Sequence, residues 1–387
     1  MKRLAIITSH PIQYNAPLFR LLAMQEKLQV KVFYTWEQTR DPAKYDPDFG
    51  KEISWDVPLL QGYEHSFVKN TASKPGTHHF RGLVNPTLNK EVEEWRPDAI
   101  LIFGWSFYSH LSAIRHFEGK IPLLFRGDST LLDEQRGLRQ MVRRTLLKWI
   151  YRKIDYAFYT GVYNKEYFLK HGLTEAQLIE APHAIDNDRF KGEGAGYDDQ
   201  AKAWKAELGI SEEDLVVLFS GKLEHKKDPH FLIDLARHLP DPRIKFVFNG
   251  SGALEEELKL AAESDPRISF LGFTNQKKMP VVYRLADVFI LPSTGPGETW
   301  GLAANEAMAS GCVVFMSRKA GGSADLVENN RNGITFAPGD VGRCSAMILL
   351  LLTNRQMLQK MRQASQEMIG SFSYDRIITA IERLLIK

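Results

Sequence analysis

Glu298-Thr-Trp-Gly-Leu-Ala-Ala-Asn-Glu306, with Gly321-Gly322-Ser-Ala-Asp325-Leu-Val shortly after it, decides how this chain is read. Two carboxylates stand around the start of a predicted helix, in which Ala303 to Ala309 are mostly strong helix formers and Ser310-Gly311 supplies the stop. Just before it, Asp287-Val-Phe-Ile-Leu-Pro292 reads as a buried strand running into a Ser/Thr/Gly/Pro loop. A strand, a tight loop and a helix N-terminus make an anion site, because the first backbone N–H groups of a helix lack intrahelical partners. Glu298, at the mouth of that site, would repel a phosphate and is better suited to accept from hydroxyls beside one. Glu306 leans back toward the helix start and suits a vicinal diol. A phosphate with a hydroxyl acceptor at each end describes a nucleotide-sugar. Taken alone, the two glutamates also fit an ordinary solvated helix.

The chain has 387 residues, too many for one typical core, so two domains are expected. A hydrophobic share of 44% beside 25% charged residues is soluble-globular usage, and a net charge of +3 argues against bulk nucleic-acid binding. Cys312 and Cys344 have neither metal-ligand spacing nor a disulfide framework, which points to buried thiols in a reducing, cytoplasmic setting. The opening Met-Lys-Arg-Leu-Ala-Ile-Ile-Thr is too short an apolar run for a signal peptide, and no run is long enough to span a bilayer.

Short apolar strands alternate with helical patterns. Leu4–Ile7, Val30–Tyr34, Ala99–Phe103, Leu123–Phe125 and Tyr156–Tyr159 form one series; Val216–Ser220, Lys245–Asn249, Ile268–Leu271, Val288–Leu291 and Val313–Met316 form a second. Two such series imply two parallel-sheet, Rossmann-like α/β domains. The glycine-rich stretch after Phe190 marks the boundary, giving 1–190, a linker at 191–200 and 201–371, with a final helix Tyr374–Ile386 within 372–387.

From Glu298 through Ala309-Ser-Gly311-Cys-Val-Val, Gly321-Gly322, Asp325-Leu-Val, Gly333 and Pro338-Gly-Asp340 the text resembles the donor-binding signature of retaining, family-4-type glycosyltransferases. The resemblance implies the GT-B architecture: two Rossmann-like domains facing a cleft, with the C-terminal helix crossing back to the N-terminal domain. It also implies a nucleoside-diphosphate sugar donor, a UDP-sugar first among them, with no cofactor and no metal. Phe219-Ser-Gly221-Lys222-Leu-Glu-His-Lys226-Lys227-Asp228 is similar to the family's Gly-Arg-Leu-(x3)-Lys-Gly element, a cationic clamp on the donor diphosphate. Lys222 stands for Arg, keeping charge but losing bidentate geometry, and Asp228-Pro229 replaces the usual Gly. A leaving diphosphate gains charge, so these cations match the chemistry. Gly250 and Gly252 of Asn249-Gly250-Ser-Gly252, and Gly272 of Phe270-Leu-Gly272, are expected near the nucleotide. Thr299, Trp300, Gly301 and Leu302 complete the donor set, whereas Tyr283 and Asp287 read as packing and capping residues. Pro182-His183-Ala-Ile-Asp186 resembles the family's hinge, with His183 for Asn and Ala184 for Gly, and Asp186 and Phe190 read as structural.

The acceptor half resembles the family least. Its first loop reads Ser9-His10-Pro11-Ile-Gln13-Tyr14 in place of paired glycines, and Arg126-Gly127-Asp128 follows the fourth strand where many members carry a His. His10 and Gln13 stand in that loop; Arg126 could meet the leaving phosphate and Asp128 the acceptor hydroxyl, or Asp128 caps. Trp105, Tyr108 and the long segment from Glu37 to Thr87 are expected to shape an acceptor pocket. Arg136 to Lys153 interleaves seven basic residues with apolar ones, which suits an anionic membrane surface at the inner face, a lipid-linked acceptor, or a plain exposed helix. The expected activity is retaining, metal-independent sugar transfer to a glycan or glycolipid hydroxyl, in cell-surface polysaccharide or lipopolysaccharide assembly. Rival readings are an epimerase or phosphorylase on the same scaffold, or a silent nucleotide-binding subunit.

Overall fold

The computed structural model describes the chain except residues 38–43, 47–50, 54, 136, 193–195 and 387, and gives backbone alone for 44–46 and 51–53. Contacts divide the chain into two compact units: Met1–Lys44, Val57–Pro182 and Tyr374–Lys387 form the first, Tyr45–Asp56 and His183–Ser373 the second.

The first unit holds seven strands: β1 Lys2–Thr8, β2 Leu28–Tyr34, β3 Glu64–Phe67, β4 Ala99–Phe103, β5 Leu123–Arg126, β6 Tyr156–Tyr159 and β7 Leu178–Glu180. They lie in the order β3-β2-β1-β4-β5-β6-β7, all parallel. The second holds β8 Leu215–Ser220, β9 Ile244–Asn249, β10 Ile268–Gly272, β11 Val288–Leu291, β12 Val313–Ser317 and β13 Gly333–Phe336. Their order is β10-β9-β8-β11-β12-β13, again all parallel. Central strands such as Leu-Val-Val-Leu-Phe-Ser of β8 are buried throughout, because helices cover both faces of a parallel sheet. These are the two Rossmann-like domains of the GT-B fold. Order reverses beside β1 in one sheet and beside β8 in the other, and the crevice outside the carboxyl ends at such a reversal is where open α/β sheets bind ligands.

The C-terminal helix Tyr374–Leu385 belongs to the first unit, as the resemblance implies. The Tyr374 hydroxyl donates to the Tyr14 carbonyl (2.9 Å), and Arg376 pairs with Glu180 at the end of β7 (3.0 Å). The division between units falls at Pro182/His183, ahead of the glycine-rich stretch. Residues 186–190 are held to the second unit: Asn187 donates to the carbonyls of Ile369 and Phe372, and Arg189 to Gln276. Asp186 caps the short helix Asn187–Lys191 through the Arg189 N–H, and Phe190 is buried against Tyr283, so both are structural as expected. Cys312 and Cys344 are free and buried, and burial pushes the Cys312 thiol up to about 12. Among the described residues no helix is long and apolar enough to cross a membrane.

Candidate functional site

Three loops meet at the carboxyl ends of β8, β9 and β11. After β8 the chain enters Gly221-Lys222 and a short 3-10 turn, His225–Lys227, ending at Asp228. Asp228 has φ of 50°, a left-handed conformation that favours glycine and that Asp tolerates better than most residues. The resemblance puts a glycine here, so the turn survives the substitution. The Gly221 N–H donates to the Asn249 carbonyl (3.0 Å), and the Gly250 N–H to the carbonyl of Gly272 (2.8 Å). A Cβ at Gly250 would fall 1.9 Å from the Gly221 carbonyl oxygen, so only glycine lets these two strand ends touch. A Cβ at Gly252 would fall 2.6 Å from the Leu223 carbonyl oxygen. The ends of β8, β9 and β10 thus form a tight backbone floor.

The loop after β11 brings the carboxylate. Lys227 Nζ forms an ion pair with Glu298 Oε2, and Ser293 Oγ donates to the same oxygen at 3.1 Å. Glu298 is 9% exposed and Lys227 20%, so the pair is largely withdrawn from water. The Thr294 N–H donates to the Lys226 carbonyl (3.0 Å), fastening the two loops to each other. Lys222, half-buried, lies on the same loop two residues past β8. The structure therefore joins the predicted cation and the predicted hydroxyl acceptor in one contact, an arrangement that their separation in sequence does not reveal.

The helix Leu302–Ala309 starts at Gly301, whose φ of 101° and closeness to the Leu291 side chain leave no room for a Cβ. Glu306 is buried and accepts from the Tyr283 hydroxyl at 2.7 Å. Tyr283 therefore adds a hydrogen bond to its packing and orients the Glu306 carboxylate. Asp287, by contrast, is spent on the Val216 N–H (3.0 Å) and Arg362 (2.9 Å) at the opposite end of the strands. Trp300 Nε1 donates to Asn305 Oδ1 (2.8 Å), and Asn305 Nδ2 donates to the His183 carbonyl (3.1 Å). Gly321 and Gly322 explain themselves here: their N–H groups donate to the carbonyls of Glu298 and Trp300, both at 2.9 Å, which fixes the backbone on either side of Thr299.

The first unit places its candidates at the carboxyl ends of its own strands. His10 Nδ1 lies 3.0 Å from Ser9 Oγ, with its ring edge-on to Trp36; Gln13 is half-buried. Trp105 packs partly against the core, whereas Tyr108 is exposed and meets Phe80 edge to face. Arg126 is buried, and its guanidinium donates to the carbonyls of Ala181 (2.8 Å) and Pro182 (3.2 Å). It ties β5 to the chain leaving β7, so the expected phosphate contact gives way to a structural one. Burial lowers its pKa to about 10, with Asp128 acting the other way. Arg136 and parts of the Glu37 to Thr87 segment lie outside the described residues.

Sequence reasoning missed His110. It is fully buried, its Nδ1–H donating to the carbonyls of Phe103 (3.0 Å) and Gly104 (3.1 Å), and its Nε2 facing Thr35 Oγ1 at 3.1 Å. Burial depresses its pKa to about 4, so it is neutral near pH 7. Beside it, Asn85 Nδ2 reaches the carbonyls of Thr35 (3.0 Å) and Val68 (2.7 Å), and Ser109 Oγ donates to Asn85 Oδ1 or the Leu83 carbonyl. A polar network thus holds the ends of β2 and β4. Its residues sit singly in the sequence, with no spacing to betray them. Among the described residues no cluster of His, Cys, Asp and Glu could hold a metal ion.

Residues 200–368 match the family described as glycosyl transferases group 1. The chain is 27% identical over 306 residues to the sulfoquinovosyl transferase SQD2 of Arabidopsis thaliana, an alignment covering 77% of this chain and 58% of that one. The chain spans about half the length of the curated relatives it matches. Among solved structures, Anabaena Alr3699/HepE in complex with UDP superposes with a TM-score of 0.74 at 19% identity over 100% of both chains. WaaG, a glycosyltransferase involved in lipopolysaccharide biosynthesis, superposes with a TM-score of 0.68 at 13% identity, covering 99% of both. These two likenesses show the fold.

Proposed function

We propose, on the premise that residues 200–368 belong to the glycosyl transferases group 1, that this chain moves a sugar from a nucleoside-diphosphate sugar to a hydroxyl of a glycan or lipid-linked acceptor. The observation that carries the reading is the Lys227–Glu298 pair at the order reversal of the second sheet, with Glu306 in the helix that follows. The diphosphate would take Lys227, supported by Lys222; Glu298 would pass to a hydroxyl of the transferred sugar, and Glu306 would accept from the ribose. HepE has been solved with UDP and with UDP-glucose, which supports a UDP-sugar as donor. The first unit would supply the acceptor, and a lipid-linked acceptor would bring the protein to an anionic membrane surface. WaaG's part in lipopolysaccharide biosynthesis supports a cell-surface product.

In the reaction the bond from the anomeric carbon to the β-phosphate oxygen breaks, and a bond to the acceptor oxygen forms on the same face. The acceptor proton passes to the departing phosphate oxygen. Lys227 and Lys222 would stabilise charge that grows as the diphosphate leaves, which lowers the barrier more than it tightens substrate binding. No divalent ion is invoked. The test is release of UDP from a panel of UDP-sugars, with and without glycan acceptors and in excess chelator. Acceptor-dependent release that persists in chelator supports the reading; conversion of the donor sugar without release points to an epimerase. Calorimetry showing that UDP does not bind would end it.

A further inference from the structure

The helix Leu138–Tyr151 divides its apolar residues into two sets. Leu147, Ile150 and Tyr151 are buried against the first unit's sheet. Leu138 is 82% exposed, Val142 71% and Met141 65%, with Leu146 and Trp149 also exposed. At about 100° per residue, Leu138, Val142, Leu146 and Trp149 share one arc of roughly 80°, facing away from the buried side. Exposed Arg139 flanks that arc on one edge and exposed Lys148 on the other. Lys153 approaches the face of the Trp149 ring (4.8 Å from its centroid), an amphipathic pair suited to a water–lipid boundary. The helix carries four basic residues and no acidic one. Its N-cap is a glycine with no side-chain bond, and its first turn lacks the acid that would favour the dipole. Neither packing nor helix stability accounts for an outward apolar stripe between cationic edges.

We propose that this face docks in the plane of an anionic membrane, with Leu138, Met141, Val142, Leu146 and Trp149 entering the headgroup–acyl boundary while Arg139 and Lys148 meet lipid phosphates. Charge complementarity selects the lipid surface as occupant: the cationic edges lie beside the apolar stripe, so one flat anionic layer with an apolar interior meets both. The inference gives the proposed lipid-linked acceptor a docking element and otherwise stands apart from the donor site.

The experiment is co-sedimentation of the full chain with phosphatidylcholine vesicles, with and without phosphatidylglycerol. Wild type should partition only to the phosphatidylglycerol vesicles. The variant L138S/V142S keeps every charge and removes only exposed apolar groups, and its partition should fall by about tenfold or more. R139Q/K148Q should lose partition as well, and both variants should bind UDP as wild type does. L138S/V142S partitioning like wild type would reduce the contact to surface attraction and overturn the proposal. So would equal partition to both vesicle types, or no partition together with a dimer that L138S/V142S dissolves. If UDP fails to bind wild type while vesicles still do, the transferase reading falls and the docking helix stands.

Discussion

Removing either member of the Lys227–Glu298 pair should move nucleotide affinity in opposite directions, although both changes should slow turnover. The ammonium already faces Glu298, which in turn has the Ser293 hydroxyl. A bound diphosphate must share that ammonium with a carboxylate. Lys227→Ala removes a charge-assisted hydrogen bond of about 1.5–3 kcal/mol, weakening UDP about 10- to 100-fold. Glu298→Ala removes a negative charge that would lie about 5 Å from the phosphate, a repulsion near 3 kcal/mol at an effective dielectric of about 20. Lys227 is 20% exposed, and solvent screening cuts this to about 1 kcal/mol, so UDP should bind about fivefold tighter. Turnover should fall about 100-fold or more in Lys227→Ala, through lost stabilisation of the leaving group. It should also fall in Glu298→Ala, because the sugar hydroxyl loses its acceptor. Calorimetric titration with UDP, beside steady-state UDP release, reads both quantities, and the double variant reports the coupling. Parallel weakening of UDP in the two single variants, or unchanged affinity in Lys227→Ala, would refute the shared-ammonium argument.

Glu306→Ala should weaken UDP by about 1.5–3 kcal/mol, and Tyr283→Phe, which removes only the hydroxyl on Glu306, should weaken it by less; unchanged UDP titrations in both would detach this helix from the nucleotide. His110 has its pKa lowered to about 4 by burial, so its contribution is full above the unfolded value near 6.5 and is lost as pH falls from there toward 4. The loss should reach about 3 kcal/mol in denaturant unfolding of the first unit, and His110→Gln should flatten that slope; a variant with the wild-type slope would acquit the residue. Asp228→Gly should change stability by less than about 1 kcal/mol, since relief of the left-handed strain offsets glycine's entropy. Asp228→Val at the same φ of 50° should cost about 1–3 kcal/mol by chemical denaturation, and equal stability of the two would contradict the turn geometry.

The strands visible in the sequence are those that carry an apolar run, as the fully buried β8 does and as the half-buried edge strand β10 also does. In the two large sheets β3, β7 and β13 escaped it, each at a sheet edge, and so did the short paired strands Lys44–Asp46 and Lys51–Ile53. Glu-His-Ser-Phe of β3 is half-buried beyond Glu64 and has no apolar run to announce it. The helix at Leu138–Tyr151 shows a different limit. Its apolar residues look like one population in sequence, because periodicity reports that arcs exist without saying which arc is packed. The glycine-rich stretch after Phe190 looked like the domain boundary, yet Asn187 and Arg189 already belong to the second unit through bonds to residues far along the chain.

The candidate site of the second unit was legible for a reason that the first unit lacks. Where a backbone must come close to another backbone, one residue type fits, and the requirement prints itself in the sequence as glycine at fixed offsets. Gly250, Gly252 and Gly322 each meet such a constraint. The ends of β2 and β4 are held instead by Thr35, Asn85, Ser109 and His110, through side chains that meet only in three dimensions. Many polar residues could make such bonds, so no spacing marks the ones that do. A diphosphate is a constant group that backbone and lysine can grip in one way, whereas acceptors vary, and side chains are the part of the fold that can vary with them. The same reasoning separates Lys227 from Arg126. The lysine lies on a turn whose shape glycine and Asp228 impose, which let its place be read; Arg126 sits at a strand end with nothing around it to fix its direction, and it turned inward to Ala181 and Pro182.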